Sequence, residues 1–287
     1  MNKDLLGQIE EQMPTFSKGQ KRIATFILQQ YEKAAYITAS KLSEIVGVSE
    51  STVVRFAIEL GFDGYPDFQS SLQSLMRNRL TSFQRMEVAN QLIGNSNLLE
   101  KVLLSDLERI KKTIEQTNQA FFKEAVEKIV AAKTIYIVGV RSSSYLAGFL
   151  NYYLRMMFDN VKLLQSTSGS ELFEQLLPIQ PGDVMIAISF PRYSKRVINA
   201  AEYAKTKGAN VISLTDSVHS PLAPLADQLL VAQSDMASFV DSLVAPMSII
   251  NALIVALSRH KQEELDRRLR ELEEIWDRYD VYDKKNS

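Results

Sequence analysis

Two hydrophobic periods run along this chain of 287 residues, and one gives way to the other near residue 119. Residues 1–80 repeat apolar positions only at helical spacing. In SKGQKRIATFILQQYEKA, Ile23, Phe26, Ile27 and Gln30–Tyr31 fall on one face of a helix. In TASKLSEIVGVSESTVVRFAIELGF, Ser40 is placed to cap a short helix with Ser43 and Glu44 in its first turn. Gly47 ends that helix and Ser49 caps the next. Val53, Phe56, Ala57 and Leu60 then follow the i, i+3, i+4, i+7 pattern of a buried face, and Gly61 supplies a stop. DGYPDF reads as a turn, with Pro66 opening a helix to about Leu80. Within residues 81–118, NSNLLEKVLLSDLERIKKTIEQ predicts a long amphipathic helix that connects rather than forms a core.

Beyond residue 119 the period shortens. TIYIVGV (134–140), VKLL (161–164), DVMIAIS (183–189), NVISLT (210–215) and DQLLVA (227–232) are short apolar runs, the first four separated by helical patterns. Such alternation predicts a parallel sheet covered on both faces. SFVDSLVAPMSIINALIVAL follows as an apolar helix, which Pro246 either bends or begins. KQEELDRRLRELEEIWDRYD closes the pattern as a charged helix with Leu265, Leu269, Leu272 and Trp276 on one stripe. That stripe suits a subunit interface and packing on its own domain equally. The predicted organisation is an all-α domain at 1–80, a helical connector at 81–118, an α/β domain at 119–260, and a helix and tail at 261–287.

Composition narrows the class. The formal net charge of -1 carries no whole-chain signal for nucleic acid or an acidic membrane. With no cysteine and two histidines far apart, His219 and His260, neither a disulfide nor a zinc site is expected, and no cofactor is predicted. The N-terminus lacks a signal-peptide pattern, and no run of 18 uninterrupted apolar residues suggests a membrane span. A soluble cytoplasmic protein is expected.

The paired short helices around Gly47 describe a helix-turn-helix. With its buried face assigned, the second helix presents Ser51, Thr52, Arg55 and Glu59 outward. Hydroxyls near a helix start reach phosphates or base edges, and an arginine can grip guanine bidentately in the major groove. Lys41 begins the preceding helix, and Lys18, Lys21 and Arg22 cluster in an earlier one. Nine basic and nine acidic residues balance within 1–80, so non-specific affinity is expected to be modest. An ordinary helical bundle would share the same pattern. VGVSESTVVRFAIELGFDGYPDF, however, resembles the signature of the RpiR-type bacterial transcriptional regulators, which join a helix-turn-helix to a sugar isomerase (SIS) domain. The resemblance covers nearly the whole chain. It implies that Ser51, Thr52 and Arg55 lie on a recognition helix.

Three hydroxyl-rich loops follow strand ends in the α/β part, where parallel sheets bind ligands. GVRSSSYLAG offers Arg141, Ser142 and Ser143 before a helix. QSTSGSELF offers Ser166, Thr167 and Glu171, and SFPRYSKR offers Ser189, Arg192, Tyr193 and Ser194. Serines before helices are ordinarily caps. Three such loops at one edge, two bearing arginine, point together to an anion site at helix N-termini. The resemblance implies a phosphosugar there, held through a Gly-x-Gly-x-Ser-like first loop and a Ser-x-Ser-Gly-x-Thr-like later loop. Here Arg141 replaces the second glycine of the first loop, and Pro191 and Arg192 replace the middle serine and glycine of the later one. Guanidinium contacts are therefore expected to take over part of the backbone cradle.

The expected fold is an all-α helix-turn-helix domain plus an α/β/α SIS domain. The expected function is transcriptional control of sugar-metabolism genes by a phosphosugar or related anion. The expected partners are inverted-repeat operator DNA and a second copy or three further copies of the chain. Residues 81–118 would transmit the change. The competing readings are a sugar-phosphate isomerase and a regulator whose SIS domain is empty and only dimerises. The isomerase would need an acid–base pair. His219, before a Ser-Pro turn, reads as a solvated residue, and no catalytic residue is assigned.

Overall fold

The computed structural model describes residues 5–35, 37–79, 97–165, 168–235 and 240–282. The chain forms two compact units, Met1–Val88 and Ala89–Ser287.

The first unit contains α1 (Leu5–Gln12), α2 (Lys18–Ala34), α3 (Ala39–Val46), α4 (Glu50–Glu59) and α5 (Tyr65–Arg79). Their apolar faces meet in one core that includes Ile9, Ile23, Ile27, Leu42, Val53, Phe56 and Phe68. Phe56 is its centre, with ring centroids 5.1 Å from Phe16 and 5.9 Å from Phe68. The Tyr65 hydroxyl donates to the Ile37 carbonyl at 2.9 Å, and burial pushes its pKa up to about 12. Ser17 and Gln20 form a reciprocal capping box at the start of α2. The cap of α3 is Thr38 rather than Ser40. Thr38 is extended (φ -68°, ψ 161°) and its side chain accepts from the Lys41 N–H, whereas Ser40 is already helical. Thr-Ala-Ser presents two hydroxyls two residues apart, and only the entry direction of the chain selects between them. Gly47 does end α3, in the left-handed region at φ 65°.

The second unit begins with α6 (Leu98–Gln116) and α7 (Gln119–Ala131). It continues β1 (Ile135–Gly139), α8 (Ser143–Leu154), β2 (Val161–Leu164), α9 (Gly169–Leu176), β3 (Val184–Ile188), α10 (Lys195–Thr206), β4 (Asn210–Thr215) and β5 (Gln228–Val231). It closes with α11 (Val244–His260) and α12 (Gln262–Arg278). The strands pair in parallel in the order β2-β1-β3-β4-β5. Side chains alternate across the sheet. Ile135, Ile137, Val184, Ile186 and Ile188 face α7, α8 and α11, while Tyr136, Val138, Met185 and Ala187 face α9 and α10. Strands apolar on both sides are what a three-layer α/β/α sandwich requires.

Pro246 lies in the first turn of α11, where its missing N–H costs no helical bond. The helix α6, from the segment read as a connector, is packed against the α/β unit. Its Arg109 is 6% exposed and bonded to Asp106 at 3.1 Å. Asp106 also accepts from the Ser242 hydroxyl at 2.6 Å, and Thr113 Oγ1 accepts from the Gln233 N–H at 2.9 Å. At the other end, Arg268 of α12 donates to Asp159 at 2.7 Å, and Leu265 packs on the core. Hydrogen bonds from Arg267 and Arg268 hold the Glu264 carboxyl below its ordinary range. Leu272 and Trp276 are half-buried and Leu269 is exposed.

No helix among the described residues is long and apolar enough to cross a membrane.

Candidate functional site

In the first unit, Ser49 caps α4 by accepting from the Thr52 N–H. Its hydroxyl also meets those of Ser51 at 2.9 Å and Thr52 at 2.8 Å. Arg55 stands one turn further on, exposed, with its Nε donating to the Ser51 carbonyl at 3.3 Å. Glu59, read as outward-facing, accepts a bond from Gln20 of α2. Lys41 is exposed and ion-paired with Glu44 at 2.7 Å. The start of α2 packs beside the start of α4. A Cβ on Gly19 would come within 3.4 Å of Thr52 Cγ2 and 3.5 Å of Val48 Cγ1. Lys18, Lys21 and Arg22 flank or follow Gly19 on α2, and they line a groove of about 720 Å³ whose other wall is Ile45 and Val46 of α3. Arg22 Nη1 donates to the Gly47 carbonyl at 3.0 Å, tying α2 to the turn itself.

In the second unit, the strand order places a topological switch at β1 and β3. The connection after β1 goes to one side, and that after β2 returns to the other. Loops diverge at such a point and leave a crevice at the carboxyl ends of the strands. A cavity of about 940 Å³ lies there. Gly139, Val140, Arg141 and Ser144 line it from the end of β1 onward, Leu164, Gln165 and Glu171 from the end of β2 onward, and Arg192, Tyr193, Ser194, Lys195 and Arg196 after β3. The N-termini of α8, α9 and α10 lie within these three wall segments, and each favours negative charge.

The β3 loop is held firmly. Ser189 is buried and its hydroxyl accepts from the Ser194 N–H at 3.3 Å. Phe190 enters the core, and the Tyr193 hydroxyl donates to buried Asp216 at 2.8 Å. Ser194 caps α10 by accepting from the Arg196 N–H. The β1 loop is held by the Ser144 hydroxyl donating to the Arg141 carbonyl. Arg141 and Arg192 both adopt left-handed backbone, at φ 56° and φ 65°. For a residue with a Cβ this conformation costs roughly 1–2 kcal/mol.

The residues singled out from sequence thus divide. Arg141, Glu171, Arg192, Tyr193 and Ser194 meet around the cavity. Ser142, Ser143 and Ser189 do not line it. Ser143 faces inward as the first residue of α8, Ser142 makes no side-chain cap bond, and Ser189 is spent on its own loop. Ser166 and Thr167 lie outside the described residues. Of the three serines of the first loop, Ser144 alone lines the cavity, and Gln165, Lys195 and Arg196 line it without having been singled out. The cationic pair was legible as Ser194-Lys195-Arg196, a capping serine followed by positive charge in a first helical turn, where acids are the usual choice. His219 is not among the lining residues.

The SIS domain family matches residues 128–256, and the helix-turn-helix domain, rpiR family, matches residues 3–79. An HTH-type transcriptional regulator of Clostridium perfringens is 27% identical over 225 residues, 78% of this chain and 79% of that one. The HTH-type transcriptional regulator HexR of Pseudomonas aeruginosa is 24% identical over 279 residues, 95% of each chain. Among solved structures, the sugar isomerase domain of an RpiR transcription factor from Sphaerobacter thermophilus is 29% identical. It covers 62% of this chain and 99% of its own, with a TM-score of 0.59. The Vibrio vulnificus NanR protein, complexed with ManNAc-6P, shares the fold at 24% identity and TM-score 0.59 over 95% of this chain and 97% of its own. A helix-turn-helix of the rpiR kind and a SIS domain follow one another in a single chain, and this protein belongs to the RpiR-type family of transcriptional regulators.

Proposed function

We propose that α4 reads operator DNA in the major groove, and that the cavity at the β1–β3 edge holds a phosphorylated sugar whose binding alters operator affinity. The observation that carries the second half is the meeting of Arg141 and Arg192, from separate loops, at the switch point of the sheet. Guanidinium groups hold phosphate bidentately. The choice of a phosphosugar also follows the ligand in the NanR complex.

For the DNA half, Arg55 is the base reader, with Ser51 and Thr52 at the start of the same helix. Lys18, Lys21 and Arg22 neutralise phosphates beside it, which offsets the absence of net positive charge in this unit. Lys41 joins them by exchanging Glu44 for a phosphate. Residues 1–80 bind DNA, 119–260 sense the ligand, and the segment between them couples the two. A coupling of about 1–3 kcal/mol would change operator affinity roughly 5–150-fold. The protein is a cytoplasmic sensor rather than an enzyme, a reading supported by the helix-turn-helix domain joined to the cavity's domain and by relatives named as transcriptional regulators. It acts as a homodimer or homotetramer on an inverted repeat, because half-site symmetry mirrors protein symmetry. The apolar stripe of Leu99, Leu103 and Leu107 on α6, exposed one turn apart, supports self-association.

Selection of the full chain on a random duplex library, followed by titration of the selected duplex, tests this reading. An inverted repeat should emerge, and phosphosugars should shift its affinity. Arg55→Ala should weaken the selected duplex by about 1–3 kcal/mol and relax preference at one base position. Lys21→Ala should weaken all sequences alike and lower the salt slope by about 1. Failure to enrich any sequence would refute the recognition role of α4. Turnover of a phosphosugar would refute the sensor role of the cavity.

A further inference from the structure

Among the described residues of the first unit, two large apolar side chains are left exposed, Ile58 of α4 at 53% and Ile45 of α3 at 38%. Single apolar residues scattered over a surface call for no explanation. Ile58 differs because of the row it stands in. The buried stripe of α4 runs through Val53, Phe56, Ala57 and Leu60. The opposite stripe runs through Ser51, Val54, Arg55 and Ile58, at i, i+3, i+4 and i+7. The recognition helix of homeodomains meets base edges with side chains at this same spacing. Ser51, Arg55 and Ile58 are exposed, and Val54 is half-buried at the rim of the core.

The chemistry of the row changes along the helix. Ser51 and Arg55 carry hydrogen-bond donors, whereas Ile58 carries neither donor nor acceptor. In the major groove the apolar group that a base pair presents is the thymine C5-methyl. The charged neighbours of Ile58 are drawn elsewhere. Arg55 Nε donates back to the Ser51 carbonyl at 3.3 Å, and Glu59 accepts from Gln20 of α2. Arg55 and Ile58 are three residues apart, a rise of about 4.5 Å along the helix. Base pairs stack about 3.4 Å apart. The two side chains therefore address positions one or two base pairs apart.

We propose that Ile58 is a specificity-determining residue that packs on the methyl group of one thymine in each operator half-site, one or two base pairs from the guanine that Arg55 grips. The inference rests on the reading of α4 as the recognition helix.

The duplex selected from a random library provides the test. Its thymines are replaced one at a time by deoxyuridine, which removes the methyl and keeps every hydrogen-bonding group. Affinity for the full chain is followed by fluorescence anisotropy. One thymine per half-site should respond, with affinity falling about four-fold per methyl removed and about sixteen-fold for the symmetric pair. Ile58→Ala should weaken the thymine duplex by at least as much as loss of the methyl does. In that variant thymine and uracil should bind to within about two-fold, the limit expected of uncoupled sites. Its melting temperature should stay within about 4 °C, because Ile58 lies outside the core. A selected duplex with no methyl-sensitive thymine, or a sensitivity that survives Ile58→Ala, would overturn the proposal and leave α4 as the reader. Unchanged DNA affinity with a changed oligomer mass in Ile58→Ala would overturn it by assigning Ile58 to a subunit contact. If no duplex is enriched at all, the reading of α4 falls and the proposal falls with it.

Discussion

Phe56→Ala is expected to melt the N-terminal unit about 12–40 °C lower while the α/β unit keeps its own transition, as followed by calorimetry of the full chain. Phe56 is fully buried on α4 and packs against Phe16 and Phe68. Truncating such a ring costs about 3–5 kcal/mol, the transfer of the ring plus the cavity it leaves. A unit of this size has a total stability of only about 4–12 kcal/mol. Operator binding should then be lost at physiological temperature, although no DNA-facing side chain has changed. Effector binding should persist. Phe56→Leu, which refills most of the volume, should cost far less. A loss below about 1 kcal/mol in the alanine variant would mean that the helices collapse into the space, and that α4 is not held by this ring.

Gly139→Ala should have the second largest effect, on the other unit. A Cβ at residue 139 would lie 2.5 Å from the Ser143 carbonyl oxygen, 3.0 Å from its carbonyl carbon and 3.1 Å from Ala147 Cβ. Two of these three atoms are backbone of the first turn of α8, so no side chain can rotate away. The helix must slide off β1, and overpacking of this kind costs about 1–3 kcal/mol. The α/β transition should fall by about 2–12 °C. The larger effect should be on the ligand, because α8 carries Ser144 and anchors the loop of Arg141 at the cavity. Charge-assisted hydrogen bonds are worth about 1.5–3 kcal/mol each, so one displaced contact lowers affinity roughly ten-fold or more. Operator binding without effector should be unchanged. Unaltered melting and unaltered ligand affinity together would contradict the close approach of β1 to α8.

Much of this architecture follows from local pattern. The apolar runs at 161–164 and 210–215 are β2 and β4 residue for residue, and the other three strands differ by one residue at each end. The buried face of α4 is the one its spacing predicts. Period and burial are linked directly, since a side chain on a strand or helix has its direction set by its position in the repeat. Caps are less determinate. Thr38 and Ser40 are chemically equivalent candidates, and the choice depends on how the chain leaves the preceding turn.

The site divides along the same line. By itself, the chain determined that hydroxyl-rich loops at strand ends carry two arginines, at positions where the family resemblance implies glycines. Only the tertiary structure decided that both keep a glycine's left-handed backbone and open into one cavity with Lys195 and Arg196. Ser189 and Ser143 illustrate the converse, because their type suits anion binding but their side chains turn inward. The reason is that local repeats fix where a side chain points relative to its own element. The meeting of Arg141 with Arg192 depends instead on β1 pairing with β3 while β2 lies on the outer side of β1. That pairing is non-local: it is set by which apolar faces cover one another across the whole sheet.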